Sequence, residues 1–143
     1  MSDTLPPASS VVPVPAGLMT FLAIDFGLKR TGVAVGNRLI RTAQSVGTVK
    51  AEGEARFALL EKHLKEWQPD AIVIGVPYHP DGAPHENTAR AKKFGRQLHG
   101  RFALPVFEVD ERYSTTEALA SGAKDADAAS ACIILEQFLR SLP

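Results

Sequence analysis

The stretch FLAIDFGLKRTGVAVG, residues 21–36, decides the fold of this chain. An apolar run ends in one acid, Asp25, and a short basic turn leads to a second run rich in β-branched residues. This pattern predicts a strand, a tight turn and a returning antiparallel strand. Gly27 and Gly32 allow another backbone or a ligand to come close. A carboxylate at a buried strand end costs free energy unless it is paired or holds a metal. Asp25 is therefore the first candidate for chemistry.

Length and composition indicate one ordinary globular domain. The chain has 143 residues, of which 45% are hydrophobic and 22% charged, which is enough for one core. Its one cysteine, Cys132, excludes an internal disulfide and fits a reducing cytoplasm. No apolar run approaches the roughly 20 residues that a membrane span needs. We therefore expect a cytoplasmic protein without membrane contact.

The formal net charge is zero, so total charge does not indicate a nucleic-acid partner. Basic residues nevertheless cluster at 29–41 and again at 90–101. Such clusters are more often solvated faces. They bear on function only if they surround the acidic site.

Residues 1–18 and 19–143 are predicted to differ in order. The first segment holds four prolines and almost no charge, which predicts a disordered tail rather than a signal peptide. Strands are expected near 21–25, 31–35, 39–49, 70–76 and 105–109, and helices near 53–67, 87–98, 114–122 and 125–142. Three antiparallel strands followed by strand–helix alternation predict an α/β fold, a mixed five-stranded sheet with helices on both faces.

Acids at the ends of these elements are candidate metal ligands. Sites in such sheets lie beyond the carboxyl ends of strands, where Asp25, Asp110 and Glu111 are placed. Asp127 begins the apolar stripe of the last helix, so an inward carboxylate there needs a partner. Complementing the helix N-terminus explains Asp125 better than Asp127. Carboxylates from separate elements can converge on one or two divalent cations, and their hard oxygens favour Mg²⁺ or Mn²⁺ over zinc.

Other motifs give weaker indications. His79 and His85 flank Asp81 in the loop after the fourth strand, where a metal site or a general base is an alternative. Loop histidines are more often surface residues. Ser114 has no nearby histidine to activate it and is interpreted as a helix cap. Residues 27–29 lack the glycine-to-lysine spacing of a Walker loop.

Four motifs in the same order resemble the YqgF (RuvX) family. They are DFGLKRTGVAV at 25–35, GVPYHPDG at 75–82, DERYST at 110–115 and Asp127-x-x-Ser130-Ala131-x-x-Ile134-Leu135. The resemblance runs from about residue 21 to the C-terminus. It implies a ribonuclease H-like fold and a Holliday junction resolvase-like nuclease that processes pre-16S rRNA. The family usually has alanine in place of Ser130 and leucine in place of Val76, and neither departure changes the acids.

The resemblance implies roles for the acids. The catalytic residues and metal ligands carry over to Asp25, Glu111 and Asp127, with Asp110 and Ser114 as additional candidates. Asp25 would bridge two Mg²⁺ or Mn²⁺ ions, and the other two acids would complete their ligand shells. A metal-bound water would then attack the phosphorus in line.

The resemblance also implies which cations bind the substrate. Lys29, Arg30 and Arg112 would neutralise phosphate charge, Arg112 through two parallel hydrogen bonds. The expected partner is nucleic acid, with pre-16S rRNA favoured over branched DNA.

The preferred hypothesis is a metal-dependent nuclease that processes the 5′ end of pre-16S rRNA in ribosome biogenesis. The rival within this chemistry is a Holliday junction resolvase acting on branched DNA in recombination and repair, which would need a homodimer with paired active sites. A non-catalytic nucleic-acid-binding assembly factor is a further alternative. An ATP-dependent phosphotransferase is the last, because the basic turn also resembles the first phosphate loop of the actin and sugar-kinase group. Those proteins clasp nucleotide between two such domains, and this chain has room for one.

Overall fold

The computed structural model describes residues 14–84, 86–111 and 125–143, which form five strands and three helices. They are β1 (Thr20–Phe26), β2 (Thr31–Asn37), β3 (Thr42–Val49), α1 (Gly53–Trp67), β4 (Ala71–Pro77), α2 (Thr88–Phe102), β5 (Val106–Glu111) and α3 (Ala126–Arg140). The helix predicted at 114–122 lies outside the described residues. So does most of the predicted tail, and the domain boundary at 18/19 stays a prediction. None of the described helices has both the length and the apolar character needed to cross a membrane.

All five strands join in one mixed sheet with the order β3-β2-β1-β4-β5. β1 and β3 each pair antiparallel with β2, whereas β4 pairs parallel with both β1 and β5. The basic turn at 27–30 closes the hairpin that the opening stretch predicts. Helices cover both faces, so β4 is buried on both sides, and this explains its almost continuous apolar sequence. The predicted five-stranded mixed sheet is confirmed.

Alternation along β1 divides the core into two layers. Leu22 and Ile24 pack on one face with α1 and α2, whereas Phe21 and Ala23 pack on the other with α3. Asp25 continues the second set, because residues two apart on a strand share a face. The acid therefore lies on the same side of the sheet as α3.

Three element boundaries differ from the prediction. β3 begins only at Thr42, because residues 38–41 form a turn in which Arg41 has a φ of 55°. α2 continues to Phe102, beyond the predicted end. β5 continues to Glu111, which pairs with Pro77 of β4. Glu111 is thus held by the sheet and not by a loop.

Glycines on β2 allow α3 to lie close to the sheet. A Cβ atom at Gly32 would be 1.8 Å from the backbone oxygen of Asp127, and one at Gly36 would be 2.9 Å from Leu135 Cδ2. The backbone of α3 therefore lies directly over the glycine backbone of β2. Since Gly32 pairs with Asp25 across the hairpin, this packing brings the first turn of α3 to the end of β1.

Candidate active site

Asp25 and Glu111 form a pair of carboxyl groups at the carboxyl ends of β1 and β5. β4 lies between these strands, and its residue beside Asp25 is Gly75. A Cβ atom at Gly75 would be 2.5 Å from Ile134 Cδ1 and 2.9 Å from Glu111 Oε2. The missing side chain therefore leaves space beside β4 that Ile134 of α3 and the Glu111 carboxyl group share. The two carboxyl groups share a hydrogen bond, and Glu111 is only 8% exposed.

Proximity and burial disfavour ionisation of this pair. Burial raises the pKa of Asp25 to about 9, and the charge of Glu111, their hydrogen bond and the charge of Asp127 act in the same direction. Burial also raises the pKa of Glu111, although its hydrogen bond with Asp25 opposes this. Two carboxylates this close cannot both ionise in a site largely shielded from water. At neutral pH the pair retains a proton unless a cation takes its place.

α3 adds a hydroxyl group next to this pair. Ser130 is 1% exposed, and its Oγ makes no well-formed hydrogen bond within the part of the chain that the structure describes. It is nevertheless close enough to Asp25 to lower the pKa of that carboxyl, in opposition to the larger effect of burial. The serine thus supplies a polar neighbour for Asp25.

Asp127 lies in the first turn of α3 and binds the basic turn. Its Oδ2 is 3.1 Å from Arg30 Nε, and the two side chains are 28% and 61% exposed, respectively. The predicted inward carboxylate is therefore only partly buried, and its partner is an arginine. Its charge still contributes to the raised pKa of Asp25. An ion pair this exposed contributes less than about 1 kcal/mol to stability.

The predicted set of three acids is only partly assembled. Asp25 and Glu111 are in contact, whereas Asp127 is turned towards Arg30. Among the described residues, no three His, Cys, Asp or Glu side chains are arranged to hold one metal ion together. The donor chemistry of Asp25 and Glu111 nevertheless fits a hard divalent cation, because both offer carboxyl oxygens and their negative charges need compensation.

The other predicted site residues fall into two groups. Asp110 is exposed, and strand alternation directs it away from the face that carries Glu111, so it does not join the acid pair. Lys29 is exposed in the basic turn beside Arg30. Three predicted residues lie outside the described part of the chain: Arg112, Ser114 and His85.

Arg56 is a contributor that the sequence analysis did not single out. It is 4% exposed and donates hydrogen bonds to the carbonyl oxygens of Leu28 and of Ala51, the latter at 3.0 Å. Its guanidinium carbon lies 4.9 Å from the centre of the Phe26 ring. This arginine therefore ties the basic turn to α1. Its spacing in the sequence could have identified it, because Arg56 stands four residues before Leu60 and so lies on the apolar stripe of α1.

Comparison with known proteins places the chain in a family. The profile of the family described as RuvX, Holliday junction resolvase, matches residues 19–141. The chain belongs to the RuvX family. The resemblance indicated by the four sequence motifs is thereby confirmed.

Two RuvX relatives are similar to this chain over most of their length. This chain is 71% identical over 136 residues to a protein of Albidiferax ferrireducens, and the match covers 95% of this chain and 87% of that protein. It is 72% identical over 128 residues to a protein of Polaromonas sp., covering 90% and 93%. Both relatives carry the name "Putative pre-16S rRNA nuclease".

Solved structures of Thermus thermophilus RuvC share the fold. One, in complex with a Holliday junction substrate, has a TM-score of 0.55 and 19% identity, over 86% of this chain and 94% of that chain. A second RuvC structure has a TM-score of 0.52 and 16% identity, over 86% and 95%. At such identities the likeness shows the fold alone. The predicted ribonuclease H-like fold is confirmed.

Proposed function

We propose that this chain is a metal-dependent nuclease that hydrolyses phosphodiester bonds, with pre-16S rRNA as its substrate. Its membership of the RuvX family and the names of its relatives support the nuclease class. The observation that carries the proposal is the buried contact between Asp25 and Glu111. Two hard oxygen donors with an excess of negative charge make a site that is completed by a proton or by a cation.

Each residue of the site has a role in this proposal. Asp25 and Glu111 would hold Mg²⁺ or Mn²⁺ through their carboxyl oxygens. A bound divalent cation supplies positive charge that polarises a phosphodiester. Asp127 becomes a further ligand when it parts from Arg30. Arg30 and the neighbouring Lys29 then neutralise phosphate oxygens.

Because the ion pair between Arg30 and Asp127 is exposed, the two side chains can exchange partners at little cost in free energy. Arg30 and Asp127 are both in contact with solvent, so separating them costs less than about 1 kcal/mol. A phosphate offers the guanidinium an equivalent anionic partner, and a cation offers the carboxylate an equivalent positive one. The buried pair has no such freedom, because Glu111 is held by the pairing of β5 with β4.

Cleavage of branched DNA is the second candidate function. The observation in its favour is the description of the family as a Holliday junction resolvase. Resolution of a junction cuts two strands and would require two copies of this chain. The two candidates therefore differ in substrate and in oligomeric state, but not in the residues that hold the cation.

Both candidates are tested by incubating purified protein with a 16S precursor transcript and a four-way DNA junction in parallel, each with Mg²⁺ or Mn²⁺. Wild-type protein should cut the RNA, and Asp25→Asn should not. Asp70→Asn is the matched control, since this exposed acid precedes β4, at the opposite end of the sheet. Circular dichroism verifies that both variants are folded.

The outcomes of this experiment separate the hypotheses. Cutting by Asp25→Asn at the wild-type rate would refute the assigned site. Cutting of the junction alone by the wild-type protein would replace RNA with branched DNA. Binding without cutting, with either metal, would support a non-catalytic assembly factor.

A further inference from the structure

Positive charge in this chain is concentrated on α2. This helix carries no acidic residue and five basic ones: Arg90, Lys92, Lys93, Arg96 and Arg101. The whole chain has 16 basic and 16 acidic residues. Outside α2, therefore, the chain has 11 basic and 16 acidic residues, so the net charge there is negative. A zero net charge conceals this separation.

Two of the five basic residues are neutralised within the protein. Lys92 Nζ is 3.5 Å from Glu108 Oε1, and Arg101 forms an ion pair with Glu54. The other three are exposed and form no ion pair with any residue in the described ranges. We call these three the α2 stripe: Arg90, Lys93 and Arg96.

The α2 stripe works against the stability of its own helix. Arg90 lies in the first turn, where a positive charge opposes the helix dipole and where α2 has no acidic residue. Lys93 is three residues from each arginine, and like charges at this spacing destabilise a helix by about 0.2–0.5 kcal/mol per pair. Natural proteins break such local rules mainly at functional or strained sites. An anionic partner from outside the chain would remove this conflict.

The α2 stripe begins at the edge of the sheet that carries the candidate active site. The hydroxyl of Thr88, the first residue of α2, donates a hydrogen bond to the carbonyl oxygen of Pro77. Pro77 pairs with Glu111. From Arg90 to Arg96 the helix rises about 9 Å. Phosphates in one strand of a duplex are spaced about 3.4 Å apart along its axis, so the stripe matches two or three of them.

We propose that the α2 stripe binds the phosphate backbone of the nucleic acid beyond the site of cleavage, on the face of the sheet opposite the acid pair. A bound strand would pass from the acid pair, over the carboxyl edge of the sheet, onto α2. Contacts of this kind position a substrate without reading its sequence. This inference rests on the proposed function, because it assigns a second surface to the same substrate.

The test compares the double variant Lys93→Gln/Arg96→Gln with Lys62→Gln/Lys65→Gln. The control pair has the same three-residue spacing and is exposed on the neighbouring helix α1. Fluorescence anisotropy measures binding of a labelled RNA hairpin with a single-stranded extension, and of a labelled four-way DNA junction, over a series of salt concentrations. EDTA is present throughout, so that cleavage does not affect the result.

The binding constant falls as salt rises, and each lost phosphate contact reduces the steepness of log K against log salt by about 0.7–0.9. The α2 variant should therefore lose about 1.4–1.8 from the slope for the nucleic acid that the wild-type protein binds. The control should keep the wild-type slope. Because the stripe destabilises its helix, the α2 variant should melt at the wild-type temperature or slightly above it. A melting temperature measured at or above the wild-type value would show that reduced binding is not caused by unfolding.

The outcomes distinguish this inference from the proposed function. An unchanged slope in the α2 variant, with tight wild-type binding, would overturn the inference and leave the nuclease proposal standing. A reduced slope in a protein that never cuts either substrate would support the inference and remove the nuclease proposal. Failure of the metal-free wild-type protein to bind either nucleic acid would overturn the inference, and the cutting assay with Mg²⁺ or Mn²⁺ would then decide the nuclease proposal on its own.

Discussion

Replacing Asp25 with asparagine should stabilise the metal-free protein at neutral and alkaline pH. Burial and the contact with Glu111 raise the pKa of Asp25 to about 9, against about 3.9 in an unfolded chain. Between these values the folded protein retains a proton that the unfolded chain releases. The contribution of this carboxyl to the free energy of unfolding is therefore fully present below about pH 3.9. It is lost as the pH rises towards 9, by about 1.36 kcal/mol per pH unit. Asparagine has no such proton, so the variant lacks this loss.

The magnitude follows from one retained proton. Between pH 5 and pH 8 the free energy of unfolding of the wild-type protein should fall by about 4 kcal/mol relative to Asp25→Asn. For a domain of 143 residues, in which 1 kcal/mol shifts the melting temperature by about 3–4 °C, the difference between the two proteins should grow by roughly 12–16 °C. Burial is the main cause of the raised pKa of Glu111 and acts in both proteins, so its effect drops out of the difference between them.

The assay is thermal melting followed by circular dichroism in EDTA at pH 5, 6, 7 and 8. Asp70→Asn is the control, because Asp70 accepts hydrogen bonds from the backbone nitrogens of Met19 and Thr20, at 2.8 and 3.0 Å, which lower its pKa. Its contribution is lost only as the pH falls through the acid range, so this variant should differ from wild type by a constant amount. Parallel curves for Asp25→Asn and wild type would refute the shared proton. Adding Mg²⁺ or Mn²⁺ at pH 8 should raise the melting temperature of the wild-type protein but not that of Asp25→Asn.

Three further substitutions test the geometry around the acid pair. Gly75→Ala places a Cβ atom 2.5 Å from Ile134 Cδ1 and 2.9 Å from Glu111 Oε2. The crowding against Ile134 should cost about 1–3 kcal/mol in urea denaturation, and the displacement of Glu111 should abolish the stabilisation by Mg²⁺. Wild-type stabilisation by the metal would contradict the contact assigned to Glu111. Gly32→Ala places a Cβ atom 1.8 Å from the backbone oxygen of Asp127, and since backbone cannot yield as a side chain does, its loss in the same assay should exceed about 3 kcal/mol. Arg56→Met leaves two carbonyl oxygens without their donor and should cost about 1–3 kcal/mol, with little recovery in Arg56→Lys; wild-type stability of the lysine variant would show that the guanidinium fork is not needed.

The sheet could be predicted from the sequence because its signals are local. The hairpin at 21–36 is specified by two β-rich runs around a short turn, and β4 by an apolar run between turn residues. The stripe of the last helix follows from spacing alone, and Asp125 caps that helix as interpreted, accepting from Ala128 N at 3.1 Å. Each of these features depends on a few neighbouring residues. Strand pairing then follows from the order of the elements.

The details of the site could not be predicted because they depend on contacts between distant elements. The choice between Asp110 and Glu111 required the register of β5 against β4, since a shift of one residue exchanges the two faces. The partner of Asp127 depends on how close α3 approaches β2, which is determined by the absence of a side chain at Gly32. A glycine in a strand is visible in a sequence, but what occupies the space beside it is not.

The site consists of one part that is fixed and one that can exchange partners. Asp25 and Glu111 belong to strands that each pair with β4, and the two carboxyl groups meet beside Gly75 of that strand. Arg30 and Asp127 belong to a turn and a helix end, and solvent weakens their attraction. When that ion pair opens, the carboxylate becomes available to a cation and the guanidinium becomes available to a phosphate. In the proposed mechanism, metal and substrate should therefore favour each other's binding, because each takes up one of the two charges that the other leaves without a partner.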